Sequence, residues 1–196
     1  MRDRIVLLEP SLLTDFIGDS VREYEACTPQ LPPRCWAVLV GRFVEDAMRV
    51  EHVRYARNIR ELDAGVLQEF DDSIVPCFGT AYCNKRRGFW CDPKDLLRIT
   101  REAQAEGMEV LGSIHLHPDW HRIGPPQERK LRVSQDPTPM DRHIFQNTGW
   151  PLNIILYLER RGGVLYHSLG AWAPPPDSEP ERGCEPLTLR FSIPRS

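Results

Sequence analysis

Several features are scarce in this chain, and each absence removes a class of function. The six cysteines (27, 35, 77, 83, 91 and 184) form no CxxC pair, and the grouping of Cys77, Cys83 and Cys91 fits no standard zinc knuckle. They read as reduced thiols of a cytosolic protein, not as a disulfide frame or a structural metal cluster. No run approaches the roughly 18 apolar residues of a membrane span. The apolar start Ile5-Val-Leu-Leu is interrupted by Glu9 and Pro10 too soon for a secretory leader. The expectation is a cytoplasmic protein without a membrane partner. Positive charge is not in excess either: the net charge is -3 and the pI about 6.1. That leaves no basic footprint for nucleic acid. No internal repeat is present.

What is present suits a single folded domain. A length of 196 residues, with 41% hydrophobic and 27% charged, can bury a substantial core. The 18 prolines cluster at 29–33, 118–139 and 174–193, where they punctuate loops and the end of the chain. The expected division is a domain over 1–172 and a Pro-rich C-terminal tail over 173–196. Its segment 187–193 reads as either a last strand or a docking tail.

Hydrophobic spacing predicts a helix over 11–26 capped by Ser11, from Leu12, Leu13, Phe16, Ile17 and Val21. The continuous apolar run Cys35-Trp-Ala-Val-Leu-Val40 reads as a strand buried on both faces, with a second strand over 47–55 after a turn at Glu45-Asp46. Segment 60–73 reads as a short helix. Alternation over 74–91 suggests two strands, or a strand and a loop. Asp92 with Pro93 marks the start of a helix that Gly107 stops, and 108–117 reads as a strand. A long polar loop follows over 119–137. Thr138 with Pro139 opens another helix, and strands are expected over 153–158 and 164–172. Strands interleaved with helices predict an α/β fold, a mixed β-sheet flanked by helices.

The chemistry concentrates in Ile114-His115-Leu116-His117-Pro118 and Thr138-Pro139-Met140-Asp141. Strand side chains alternate, so His115 and His117 share one face. A carboxylate from the following helix would complete three ligands, and three ligands with an open position is the layout of a catalytic zinc. Plainer readings exist for each part. Thr-x-x-Asp is nearly a capping box, which helices use without any metal. His121 and His143 suit a solvent-exposed surface, and Trp36 and Trp150 suit the core or a substrate shelf.

These stretches, with the helix beginning Asp92-Pro-Lys-Asp and the strand Val38-Leu-Val-Gly-Arg-Phe, resemble the JAMM metalloprotease family (the MPN domain, Mov34-type). Its motif is His-x-His-Pro, a spacer, then Ser-x-x-Asp. The resemblance implies a fold of MPN (cytidine-deaminase-like) type and one zinc held by His115, His117 and Asp141. It implies an oxyanion-stabilising role for Thr138. The implied reaction is cleavage of an amide bond at the C-terminal tail of a ubiquitin-like or sulfur-carrier protein. The family places a catalytic glutamate about seven residues before the glycine that ends the buried strand. Counting back from Gly41 gives Arg34 instead, and a guanidinium is no base at neutral pH. Of the glutamates nearby, Glu25 is taken as the candidate base. The chain also departs at Leu116, where many members have Ser or Thr, and in its long spacer with Trp120, His121 and Arg129-Lys130. The alternative is a metal-binding module without the base, acting as a scaffold or on a non-peptide substrate.

Overall fold

The apolar run after Cys35 builds strand β2 (Trp36–Val44), and a turn in which Glu45 takes a φ of 55° folds the chain back as β3 (Ala47–Arg54). The computed structural model describes residues 5–124, 126, 129, 134–175 and 183–193. The remaining strands are β1 (Ile5–Leu8), β4 (Glu109–Pro118), β5 (Leu152–Arg161), β6 (Val164–Ala173) and β7 (Glu185–Phe191). Among the described residues these form one closed barrel in the order β1-β3-β2-β4-β5-β6-β7. Pairs β1/β3, β1/β7 and β4/β5 are parallel and the others antiparallel.

The barrel corrects the expected fold class. The structure is a closed, seven-stranded mixed barrel with few helices, not an α/β sheet of MPN type flanked by helices. The physical reason lies at the two ends of the chain. Ile5–Leu8, four residues that alternate between half-buried and buried, joins β3 on one side. The end strand β7 joins β1 through four register pairs and β6 through three. Both edges of what would have been an open sheet are thereby sealed, which satisfies backbone groups that an open edge leaves to solvent.

Alternation sorts the barrel residues onto two faces. Ala37, Leu39, Leu111, Ile114, Leu116, Ile154, Leu156 and Ala171 point into the main core, with Phe16 and Tyr24 of helix α1 (Thr14–Ala26) against them. Trp36, Val38 and Val40 point the other way, onto Ile99 and Ala103 of a later helix (Pro93–Ala105). Asp92 caps that helix by accepting a hydrogen bond from the Lys94 amide at 2.9 Å. Ser11 does not cap α1. It sits in a 3-10 turn (Pro10–Leu13) and donates its hydroxyl to Glu9.

The segment 74–91, read as two strands or a strand and a loop, is instead helical as far as Cys83 and irregular beyond it. Helix α2 (Ala64–Glu69), capped by Asp63, runs through a π-turn (Phe70–Ile74) into α3 (Val75–Phe78) and a 3-10 turn (Thr80–Cys83). Phe70 and Ile74, four apart and both buried, pack with Ile59, Val66 and Met140 into a separate cluster. Tertiary burial at helical spacing overrides the local alternation. Arg60, 1% exposed, lies across the Phe70 ring and donates to the Tyr82 carbonyl at 3.0 Å. The helix beginning at Pro93 is α4. The loop over 119–137 contains a short helix, α5 (Trp120–Ile123). Residues 125, 127–128 and 130–133, with Lys130 among them, lie outside the described residues, as do 176–182 of the tail. Among the described residues, no helix is long and apolar enough to cross a membrane.

Close approach of β4 to β5 depends on Gly112. A Cβ there would sit 1.5 Å from the Leu152 carbonyl oxygen, a backbone atom that cannot swing aside. Gly112→Ala is expected to cost about 3 kcal/mol or more, lowering Tm by roughly 6 °C or more. Differential scanning calorimetry checks this, and an unchanged Tm would contradict the close approach.

Candidate metal centre

Strand β4 runs between β2 and β5, with His115 in register with Trp36 and Ile155, and His117 in register with Tyr157. Ile114 and Leu116 point into the core, so the two histidines point to the outer face. There, helix α6 (Pro139–Thr148) begins with Thr138 as its N-cap and Pro139 at its first position. The capping box is complete. The Thr138 amide and hydroxyl donate to Asp141 Oδ2 at 2.7 and 2.6 Å, and the Asp141 amide donates back to Thr138 Oγ1 at 3.3 Å. This local chemistry aims the Asp141 carboxylate at the histidines.

Three ligand atoms converge as a result. His115 Nε2 and His117 Nε2 are 3.0 Å apart. Asp141 Oδ1 is 3.3 Å from His115 Nε2, and Oδ2 is 3.2 Å from His117 Nε2. Ligand atoms bound at about 2.0 Å to a tetrahedral zinc stand about 3.3 Å from one another. The side chains present therefore fit a small divalent ion. His115, His117 and Asp141 are 5%, 8% and 7% exposed. The Ser134 carbonyl, 2.9 Å from His117 Nδ1, accepts a hydrogen bond from a proton on that nitrogen, the tautomer that leaves the Nε2 lone pair to the centre. The His115 ring is wedged by Phe89 and Phe145, with centroids at 5.4 and 6.0 Å.

The electrostatics suit the same purpose. Burial lowers the His115 pKa and keeps the ring neutral. Burial also presses on His117, but the Asp141 carboxylate and the Ser134 carbonyl outweigh it and raise the pKa. Burial alone would raise Asp141. The pull of His117 and His115 instead holds it well below the usual carboxylate range.

The trio lies in the floor of a cleft of about 580 Å³. Its walls are mostly apolar: Phe78, Tyr82, Phe89, Trp120, Met140 and Ile144, with five prolines. The charged lining residues are Arg34, Arg87, Asp136 and Asp141. Arg34 does face the centre's cleft, and its guanidinium is held by Glu61 at 2.9 Å while its amide donates to Glu23. Glu25 is not brought to the site. It pairs with Arg160, two residues beyond the core-facing Leu158, on the opposite side of the sheet from His117. Thr138 lines the cleft, with its hydroxyl committed to Asp141. Asp136, accepting from Ser134 Oγ at 2.8 Å, is the carboxylate of the cleft besides Asp141 among the described residues.

Arg87 and Phe89 were not legible as site residues. They lie in an irregular stretch with no periodicity, and only the packing of the helical segment over 64–83 brings them to the histidines. His143 stays on the surface, beside Phe78 and Asn147.

The chain matches no family model and no curated protein. A solved structure of a protein from Salinibacter ruber, determined in solution, is similar to it with a TM-score of 0.47 and 18% identity, covering 98% of this chain and 94% of that one. The resemblance to the JAMM family rests on this chain's own residues, the motif with its flanking helix and strand, and on no match to a known protein.

Two outcomes follow from this geometry. Thr138→Ala removes both the cap and the grip on Asp141. It is expected to cost about 1 kcal/mol of stability in urea denaturation and to weaken zinc about tenfold or more in chelator competition. Equal zinc affinity would show that Asp141 needs no orienting. Zinc must also displace the proton that the raised pKa of His117 favours, so affinity is expected to fall as pH drops through that titration. The same competition across a pH series reads it, and a flat profile would remove His117 from the ligand set.

Proposed function

We propose that this protein is a zinc-dependent hydrolase that cleaves an amide bond at the C-terminal tail of a protein substrate, in the manner of enzymes acting on ubiquitin-like or sulfur-carrier proteins. The observation that carries the reading is the convergence of His115, His117 and Asp141 at 3.0–3.3 Å in the floor of an open cleft. A structural zinc is closed by four protein ligands, and three beside a cleft leave room for a substrate. The apolar walls suit an extended peptide, and the motif His115-Leu-His-Pro with Thr138-Pro-Met-Asp141 supports amide hydrolysis. The reading puts this chemistry in the cytoplasm, supported by six cysteines of which none is paired.

Zinc supplies Lewis acidity, polarising a carbonyl and bringing the pKa of water toward neutrality. The chain's own residues do the rest. His115, His117 and Asp141 would hold the ion. Ser134 and Thr138 keep two of those ligands in one orientation. Phe89 and Trp120 thin the water beside the centre, which strengthens electrostatic interactions there. Asp136, the other carboxylate lining the cleft among the described residues, would accept a proton from the attacking water and return it to the leaving amine, the task the family gives to a glutamate.

A second reading has its own support. Arg34 stands in the cleft where a base would be expected, which favours a metal-binding module that holds a partner without cutting it. Elemental analysis of the purified chain is expected to give one zinc per molecule, lost in His117→Ala and in Asp141→Asn. A chain that takes up no zinc sinks both readings. With zinc bound, cleavage of ubiquitin-like fusion proteins is expected to fall about 100-fold or more in Asp136→Asn, with zinc content unchanged. Unaltered cleavage would remove Asp136 from the proton transfer, and no cleavage by the wild type would favour the scaffold.

A further inference from the structure

The strip Arg87-Gly88-Phe89 lines the cleft from its rim to the metal ligands. At one end the Phe89 ring stacks on Trp36 at 5.0 Å and stands 5.4 Å from the His115 ring. At the other, the Arg87 guanidinium lies over the Trp120 ring at 3.9 Å and over the Tyr82 ring at 4.3 Å. A guanidinium held against aromatic faces keeps its N–H donors in its own plane, pointing past the rings. Arg87 has further interactions of its own, and with five donors it can share them with a ligand.

The charge balance of the cleft points the same way. Among the described residues, Arg34 and Arg87 face Asp136 and Asp141, so these four charges cancel. A divalent ion on the trio makes the balance net positive. From this we infer that the substrate carries a carboxylate about one residue from the bond that is cut, and that Arg87 receives it in a fork of two hydrogen bonds. One residue, Gly88, separates Arg87 from Phe89, so their Cα atoms stand at most roughly 7 Å apart, and that short step of backbone sets the spacing. The apolar walls take the side chain between. The carboxylate can belong to the C-terminus of the substrate or to an acidic side chain. Arg87 is a specificity-determining residue in this account, not a ligand. The inference rests on the metal-hydrolase reading above.

The test uses the full chain loaded with Co2+ and three probes that share a malonyl hydroxamate. One is joined to phenylalanine with a free carboxylate, one to phenylalanine amide, and one to aspartic acid α-amide. Binding is read from the cobalt visible spectrum. One or both carboxylate probes are expected to bind about tenfold or more tightly than the phenylalanine amide. The tighter of the two identifies the source of the carboxylate. In Arg87→Gln, with circular dichroism and the cobalt spectrum unchanged, the preference is expected to shrink to about twofold or less. Equal binding of all three probes, binding of none, or a preference that survives in Arg87→Gln overturns the inference. Failure to take up cobalt instead defeats the metal reading. In that case N-acetylphenylalanine and its amide are compared on the metal-free chain by NMR. A preference for the free acid that Arg87→Gln abolishes keeps Arg87 as the receptor of a carboxylate without the cleavage reading, and no preference ends the inference altogether.

Discussion

The alternation of side chains along β4 is the constraint on which the rest of the structure depends. Ile114 and Leu116 are driven into the core, where both are almost fully buried. Each lies beside a histidine, so the same pleat that satisfies the core sends His115 and His117 to the outer face together. A slip of one residue in the ladder to β5 would place two imidazoles in the core and two aliphatic chains in the cleft. The parallel register with β5 and the antiparallel register with β2, pinned from both sides, exclude that slip. Core packing and site geometry are therefore a single choice.

The centre concentrates groups that are costly to bury unless each finds a partner. Two imidazoles and a carboxylate turn their acceptors toward one point. The carboxylate also serves the helix, closing a capping box whose hydrogen bonds orient it. Asp141 thus ties the start of α6 to the face of the barrel. Ser134 does the equivalent for His117 through a backbone carbonyl, and its side chain positions Asp136 in the same cleft. The short segment between the loop and α6 accordingly sets one member of the trio, the orientation of another, and a second carboxylate.

The opposite wall comes from a part of the chain with little regular pattern. Helical turns over 64–83 bury Phe70 and Ile74 beneath the cleft, and the buried Arg60 pins the Tyr82 carbonyl. Tyr82 and Trp120 in turn carry Arg87. This wall gives the cleft an apolar surface with a cation, Arg87, held against aromatic rings at its rim.

Much of the local chemistry was legible from the residues alone. The pair His115 and His117 at a spacing of two fixes a shared face wherever that strand lies. Thr138, Pro139 and Asp141 contain their own cap, so the carboxylate's direction relative to its helix is a local matter. Asp92 with Pro93 likewise marks a helix start. The fold was not legible. Ile5–Leu8 is too short to declare itself, and 185–191 follows a Pro-rich stretch that reads as a tail. Those two segments become strands only because each supplies hydrogen bonds that the other needs, and pairing between opposite ends of the chain leaves no local mark. The same holds for the carboxylates of the cleft. Counting back from Gly41 gave Arg34 and left Glu25 as a substitute candidate, but the sheet separates Glu25 from the centre, and only the folded loop sets Asp136 in the cleft. Local propensity and side-chain chemistry thus determined the shared face of the two histidines and the helix cap that holds Asp141. The closed barrel, the cleft and its arginine were decided by long-range pairing and burial, whose energies depend on contacts that a linear sequence does not contain.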